Sequence, residues 1–454
     1  MDSPTQAQPP IAAIADFIAD PVAAAAFPDH RLRWRNDRAA DSIALAALDD
    51  AQWVSHFGRF APLPGNLPKP LALRYHGHQF GHYNPDLGDG RGFTFAQLRS
   101  DDGRWLDLGT KGSGQTPYSR GGDGRLTLKG AVRELLATEM LEALGVPTSR
   151  TLSIIETGEA LHRGDEPSPT RSAVLVRLSH GHIRIGSFQR LATLGQNDEM
   201  ERLLRYVLAT LYAAPDAGTM PLADAAAQLV HLAACRCART VAAQMVAGFV
   251  HGVLNSDNIN VTGESFDYGP WRFTPRWDAG FTAAYFDHRS LYAFGRQPQV
   301  VHWTVAQLAN SLAAIAPAAP LSDVLEAFGP AYEAAIAAQF CWRLGVAQAG
   351  READRALVIA SEQHMRGAGT PIDQFFLSGA WDSDDAALSD ALSGRARTRP
   401  LWWDDTVPQS MHIEEVEALW AAIASHDDWS PMIAKVNAVR AMGRALGPPP
   451  IALR

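Results

Sequence analysis

Residues 251–269, HGVLNSDNINVTGESFDYG, hold the side chains of this chain best suited to chemistry. Asp257 stands beside Asn258, and a second carboxylate, Asp267, follows ten residues on, inside Asp-Tyr-Gly. Magnesium, a hard cation, takes carboxylate and amide oxygens together with phosphate oxygens. Asn258 and Asp267 are therefore candidate metal ligands. Asp257, held free of the metal, is the candidate base that accepts a proton from an attacking hydroxyl. Asp and Asn clusters also form turns, and the stretch taken alone supports that reading as well.

A nucleotide needs cations and close backbone approach, and the segments upstream offer both. Gly88-Asp-Gly-Arg-Gly92 lies between strand-like runs. Gly88 and Gly90 let backbone approach a ligand, and Arg91 supplies a forked donor to phosphate. The same residues read as a hairpin turn, and the two readings are compatible. The segment WLDLGTK reads as a strand ending in Lys111, and GSGQTPYSRGGDGRLTLKG after it lacks the Walker A spacing. That long Gly-rich loop, with Asp123 and Gly124, leads into a helix over residues 129–144, which Gly145 and Pro147 terminate. Glu134 sits near the edge of the helix's apolar face, where it could reach Lys111; pairing with Lys129 or Arg133 is the alternative. Arg177 and Arg184 complete, with Arg91 and Lys111, a positive pocket that suits a triphosphate, although any one arginine also reads as a surface residue.

The elements that must position these groups make an α+β chain. Its 454 residues fit one large domain or two to three ordinary ones. A net charge of −9 argues against nonspecific nucleic-acid binding as the main role. Three cysteines suggest a reducing compartment, with Cys235 and Cys237 as core-packing thiols. His76, His78 and His82 lack the partners of a zinc site. The N-terminus has no basic leader with an apolar core, and no apolar window is long enough to span a membrane, so the expectation is a cytoplasmic protein. Residues 1–70 read as an extension: disordered through Pro9 and Pro10, short helices over 22–27 and 41–57, and a Pro-rich linker over 61–70. Strands are expected over 151–155 and 172–178. Helices are expected over 200–213, 222–250 (running directly into His251), 305–315, 321–344, 351–365, 414–425 and 429–446.

The Asp-Asn loop, the following Asp-aromatic-Gly and a strand lysine within reach of a helix glutamate resemble protein-kinase machinery. There the Asn lies several residues after the Asp; here it is adjacent. The ordered set GHQFG, LGDGR, LGTKGSGQTPYSRGGDGR, VRELL, PTSR, IRIGSF, HGVLNSDN and DYGP is more specific. It resembles the selenoprotein O family, also called YdiU-like, of kinase-fold protein adenylyltransferases, over residues 70–300.

The resemblance implies a two-lobed protein-kinase-like fold. Residues 71–190 would form a β-rich lobe with one key helix, and residues 191–454 a larger helical lobe. It implies transfer of AMP from ATP, bound in a flipped orientation, to Ser, Thr or Tyr hydroxyls of proteins, itself included, with Mg2+ or Mn2+. A conventional kinase and a nucleotide-binding pseudokinase scaffold are the alternatives. Carried over, Asp257 matches the base, and Asn258 and Asp267 the metal ligands. Gly88, Gly90, Arg91, Lys111, Asp123, Gly124, Arg177 and Arg184 match nucleotide contacts, and Glu134 the partner of the lysine. Many members carry a Cys shortly after DYGP, where Ala283 stands here, and another Cys or selenocysteine near the C-terminus, where LGPPPIALR has none. The resemblance thus implies a nucleotide site without the redox latch, equally active under reducing and oxidising conditions.

Overall fold

A computed structural model describes residues 8–381, 383–398 and 408–451. The first seven residues, most of the segment read above as disordered, lie outside the described residues. Pro10–Ala13 already forms a 3-10 turn, and the Ile11 N–H donates to the buried Gln97 side chain at 2.9 Å.

The strands in chain order are β1 (Ala19–Pro21), β2 (Arg31–Arg35), β3 (Leu71–Leu73), β4 (Gly77–Gln79), β5 (His82–Asn84), β6 (Thr94–Arg99), β7 (Trp105–Lys111), β8 (Leu126–Thr127), β9 (Arg150–Leu161) and β10 (Thr170–Ser179). Eight of them form one antiparallel sheet in the order β1-β3-β6-β7-β10-β9-β2, with β8 also on β10, while β4 and β5 make a separate hairpin. The segment before residue 71 is therefore no mere extension, because it supplies both edges of the sheet. Residues 22–27 are extended rather than helical. Their backbone is taken up by Pro70 and Ser113, whose carbonyls accept from the Val22 and Ala25 N–H groups at 3.0 and 2.9 Å.

Alternation along the central strands decides what faces what, since successive side chains point to opposite sides. On β10, Val174, Val176 and Leu178 join the core with Trp53 and Phe57, whereas Ala173 and Leu175 join the core of the opposite face. Trp53 and Phe57 come from α3 (Asp50–Phe57), which follows α1 (Ala15–Ile18) and α2 (Asp37–Asp41). An Asp49–Gln52 capping box starts α3, which is the short helix found within the 41–57 stretch. Burying each aromatic side chain contributes roughly 1.5–3 kcal/mol. The opposite face is covered by α4 (Leu128–Ala143), whose first turn is capped by the Thr127 hydroxyl.

The remainder is helical: α5 (Ile185–Thr193), α6 (Asn197–Tyr206), α7 (Leu222–Val246), α8 (Gln297–Leu312), α9 (Ala318–Leu325), α10 (Phe328–Leu344), α11 (Arg351–Ala368), α12 (Ile372–Gln374), α13 (Ala386–Leu392), α14 (Ile413–His426) and α15 (Ser430–Leu446). The helix expected over 321–344 is two helices, because Pro330 lacks an N–H and fits only the first turn of α10. The chain between α7 and His251 is not helical. Gly248, at φ +69°, turns it into β11 (Phe249–Val250), which pairs with β12 (Arg272–Phe273). The two closing helices return to the sheet half. Arg440 of α15 forks onto Glu139 of α4 at 2.6 and 2.7 Å, and Lys129 of α4 pairs with Glu417 of α14 at 2.7 Å. Among the described residues no helix is long and apolar enough to cross a membrane.

Candidate active site

The β11–β12 ribbon pins the base of one loop, residues 251–271, and that loop carries Asp257, Asn258 and Asp267 together. His251, at the start of the loop, ties it to its returning arm, its Nε2 lying 3.0 Å from the Phe266 carbonyl oxygen. Bridges from Arg184 to Asn260 and from Thr148 to Ser265 fasten it to the sheet half.

Strand parity places the cations. Leu106 and Leu108 of β7 belong to the α3-side core, so Lys111 faces the α4 side. Lys111 is in register with Leu175 of β10, and Arg177, two residues on, shares that face. Glu134 projects from α4 into the same space, 1 % exposed, and accepts from Lys111 Nζ at 2.6 Å; its other oxygen lies 3.5 Å from Arg177 Nη1. Glu134 is thus a buried partner of Lys111, and not an exposed partner of Lys129 or Arg133.

Three cations converge on Asp267. Lys111 Nζ and Arg177 Nη1 both approach its Oδ1 to 3.2 Å, and Arg184 Nη2 approaches its Oδ2 to 3.5 Å. Burial alone would raise the Asp267 carboxyl, but Arg177, Lys111 and Arg184 hold it well below the usual carboxylate range. Asp267 adopts φ +65°, a left-handed conformation uncommon outside glycine, which aims its carboxylate at these groups. Arg184, at the N-terminal boundary of α5, is fully buried. Its guanidinium lies over Tyr75 and Phe266 at 4.2 and 5.0 Å and also meets Asp89 at 3.2 Å. Buried guanidinium groups of this kind stack on aromatic faces while keeping their charge.

Asp257 is held differently. Its carboxyl is buried, burial pushes it up to about 6, and Oδ1 has no hydrogen-bond partner among the described residues. Oδ2 lies 3.5 Å from the Gln79 amide nitrogen. The adjacent Asn258 is anchored through its amide nitrogen, which donates to the Val253 carbonyl at 3.0 Å and leaves its oxygen as the atom available to a cation.

Two glycine loops close the mouth. A Cβ at Gly88 would lie 2.3 Å from the Tyr118 ring, and one at Gly90 would lie 2.8 Å from the Tyr118 carbonyl oxygen. The second loop therefore rests on the first. Gly124 at φ +69° packs on Gly114, and Asp123 is paired with Arg163 at 2.9 Å. Arg91 is exposed here, without a hydrogen bond or ion pair from its guanidinium to the described residues.

Gly88, Gly90, Arg91, Lys111, Asp123, Gly124, Arg177, Arg184, Asp257, Asn258 and Asp267 all line one cleft of about 480 Å3; Glu134 stands behind Lys111 and does not line it. Sequence reasoning missed Tyr75, Asp89, Tyr118 and Arg163, which also line the cleft, and Phe266 beneath the arginines. Asp89 lies inside the singled-out Gly-rich turn and was legible there as a carboxylate. Tyr118 likewise lies inside the second Gly-rich loop, whereas Tyr75, Arg163 and Phe266 are recruited by long-range packing and leave no local signal.

The family model described as "Protein adenylyltransferase SelO" matches residues 4–393. The chain is 43 % identical to "Protein nucleotidyltransferase YdiU" of Gloeobacter violaceus, covering 95 % of this chain and 94 % of that protein. It is 48 % identical to the protein of the same name in Synechocystis sp., covering 75 % and 70 %. For the Pseudomonas aeruginosa protein of that name the identity is 37 %, covering 77 % and 71 %. With most of its length matched by the family model and by these relatives, the chain belongs to the SelO family of protein adenylyltransferases.

Proposed function

We propose that this protein transfers AMP from ATP to Ser, Thr or Tyr hydroxyls of proteins, itself included, from the cleft described above. The reading assigns a two-lobed, kinase-like organisation. Residues 71–190 carry the nucleotide loops and residues 191–454 the catalytic and metal-binding loops, with the cleft between. A cytoplasmic setting, and no role for nucleic acid, accompany it.

The observation that carries the reading is the buried cluster of Lys111, Arg177 and Arg184 lining the same cleft as Asp257, a carboxyl with a buried, unpartnered oxygen. Such a cluster seats the terminal phosphates of ATP, with Arg91 adding a free guanidinium at the mouth. Glu134 keeps Lys111 aimed into the cleft, and the backbone at Gly88, Gly90 and Gly124 allows close approach of the nucleotide. With the terminal phosphates among the cations, the α-phosphorus is the electrophile left facing the acceptor. Asp257 takes the proton of the hydroxyl; the hydroxyl oxygen bonds to the α-phosphorus; the bond from that phosphorus to the bridging oxygen breaks, and pyrophosphate leaves with the electron pair. The cations stabilise the charge that develops on it.

Asn258 and Asp267 offer the hard oxygen donors that suit Mg2+ or Mn2+, with phosphate oxygens to complete the shell. Such an ion, when bound, neutralises phosphate charge and eases departure of pyrophosphate.

The test is incubation of the protein with ATP labelled at the α or the γ position, read by label and intact mass beside Asp267→Ala. A gain of one AMP on wild type alone is expected. A gain of phosphate assigns a kinase. No gain, on the protein or on an added cell extract, assigns a nucleotide-binding scaffold.

A further inference from the structure

Beside the catalytic loop the surface turns aromatic. Of the seven large apolar side chains that stand exposed among the described residues, four belong to this one face: Tyr83, Tyr285, Phe286 and Trp303. Ring contacts gather them into two groups, which meet at Tyr292: its ring meets Phe80 at 5.0 Å, and it lines one groove with His78 and Trp303. His78 meets Tyr83 and Trp303 at 5.2 and 5.1 Å, and Phe286 meets Tyr285 and Phe80 at 5.1 and 5.9 Å. Scattered exposed apolar residues need no explanation, but a contiguous patch marks a binding surface. Within it lies a groove of about 270 Å3, lined among others by His78, Leu254, Leu291, Tyr292, Val300 and Trp303.

The groove lies next to the candidate active site, joined to it through two shared segments. Leu254 belongs to the loop that carries Asp257. Strand β4 gives His78 to the groove and Gln79 to Asp257, and its Gly77 backbone presses on Asp257, where an added Cβ would lie 3.0 Å from Oδ1. The walls are also held in place. His78 Nδ1 lies 2.7 Å from the Gln189 amide nitrogen, and Gln189 in turn accepts from the Ser256 hydroxyl at 2.6 Å. The Phe80 N–H donates to the Tyr292 hydroxyl oxygen at 3.1 Å. A preformed surface of this kind avoids ordering cost on binding.

We propose that this groove seats an extended segment of the acceptor protein, an apolar side chain next to the acceptor hydroxyl filling the space between His78, Tyr292 and Trp303. The inference rests on the adenylyl-transfer reading above and names its substrate class: hydroxyl side chains flanked by Leu, Phe or a similar residue. A Lys flank would lose its hydration among these rings and aliphatic groups and would also meet the like charge of Arg296, which lines the groove together with Gln299.

The experiment uses the full chain and short synthetic peptides, each with a central Ser, Thr or Tyr and a flank of Leu, Phe, Ser or Lys. Binding is read with α,β-methylene-ATP, which cannot give up AMP, and transfer is read separately with α-labelled ATP. Wild type should retain the Leu- and Phe-flanked peptides preferentially. Both positions are exposed: Trp303→Ser, which strips one wall of the groove, should weaken that retention about tenfold, and Phe286→Ser, on the surrounding patch, should weaken it less. Their affinity for the nucleotide and their weak retention of Lys-flanked peptides should not change. Absence of a flank preference, or a preference untouched in both variants, overturns the proposal. So does a wild-type dimer that falls apart in the Trp303 variant, which would make the patch a self-association face. Peptides retained with the apolar preference but never labelled would overturn the adenylyl-transfer reading and leave the docking surface standing.

Discussion

Replacing Asp257 by Asn should remove the chemistry and stabilise the protein at once. Burial pushes the Asp257 carboxyl up from 3.8 to about 6, and one of its oxygens has no partner. Between those two values the folded chain keeps a proton that the unfolded chain has released. Stability therefore falls as pH rises through this window, and the penalty is complete above about 6. A difference of about two pH units, at about 1.4 kcal/mol each, places the cost near 3 kcal/mol for the nucleotide-free protein at pH 7.5. Asn has the same outline without the charge. Asp257→Asn should gain up to that amount at pH 7.5, with the gain closing toward zero by about pH 4. AMP transfer should drop by about 100-fold or more, the usual contribution of a positioned base. The assay is urea unfolding at several pH values in the presence of a chelator, beside transfer from α-labelled ATP. A variant no more stable than wild type at pH 7.5, or a difference that ignores pH, refutes the burial argument. Transfer retained within tenfold refutes the base.

The same geometry makes further predictions. Glu134→Ala strips Lys111 and Arg177 of a buried partner and should cost about 3 kcal/mol of stability together with most of the affinity for ATP; unchanged affinity in a nucleotide titration would show that Glu134 does not position Lys111. Wild-type transfer should rise with pH through about 6, as Asp257 loses its proton; a rate that is flat from pH 5 to 7.5 argues for another base. Arg440→Ala leaves Glu139 buried without its forked partner and should destabilise by roughly 2–4 kcal/mol, whereas Arg440→Lys recovers part of that; urea midpoints for both variants test it. Burial pushes the Cys237 and Cys341 thiols up to about 12, so activity should agree within about twofold with and without added thiol; reversible activation by thiol would contradict this.

Several features of the site were legible locally. Period-two alternation already sets Lys111 opposite Leu106 and Leu108 within β7 and Arg177 opposite Val174 and Val176 within β10, and the apolar period of α4 puts Glu134 at its edge. The positions of Asp257, Asn258 and Asp267 within one loop follow from their closeness in sequence. The helix α5 was missed because Ile and Gly depress its propensity, although Ile185, Phe188 and Leu191 carry its buried face at helical spacing. The sheet edges β1 and β2 were missed because three- and five-residue strands form only through their long-range partners β3 and β9.

What the sequence by itself determined is the inventory: the carboxylates, the amide, the cations and the glycine turns, with their spacing and their strand or helix setting. These are local properties, set by side-chain type and by periods of two and 3.6. What only the tertiary structure decided is which of these groups meet and in what state. Arg184 reaches Asp267 because α5 starts where it does and because Tyr75 and Phe266, far apart in sequence, stack around it. Asp257 and Asp267 are chemically identical side chains in one loop. One is raised by burial with an unpartnered oxygen, and the other is held low by three cations. Desolvation and Coulomb interaction depend on distances across the fold, and no local pattern encodes them.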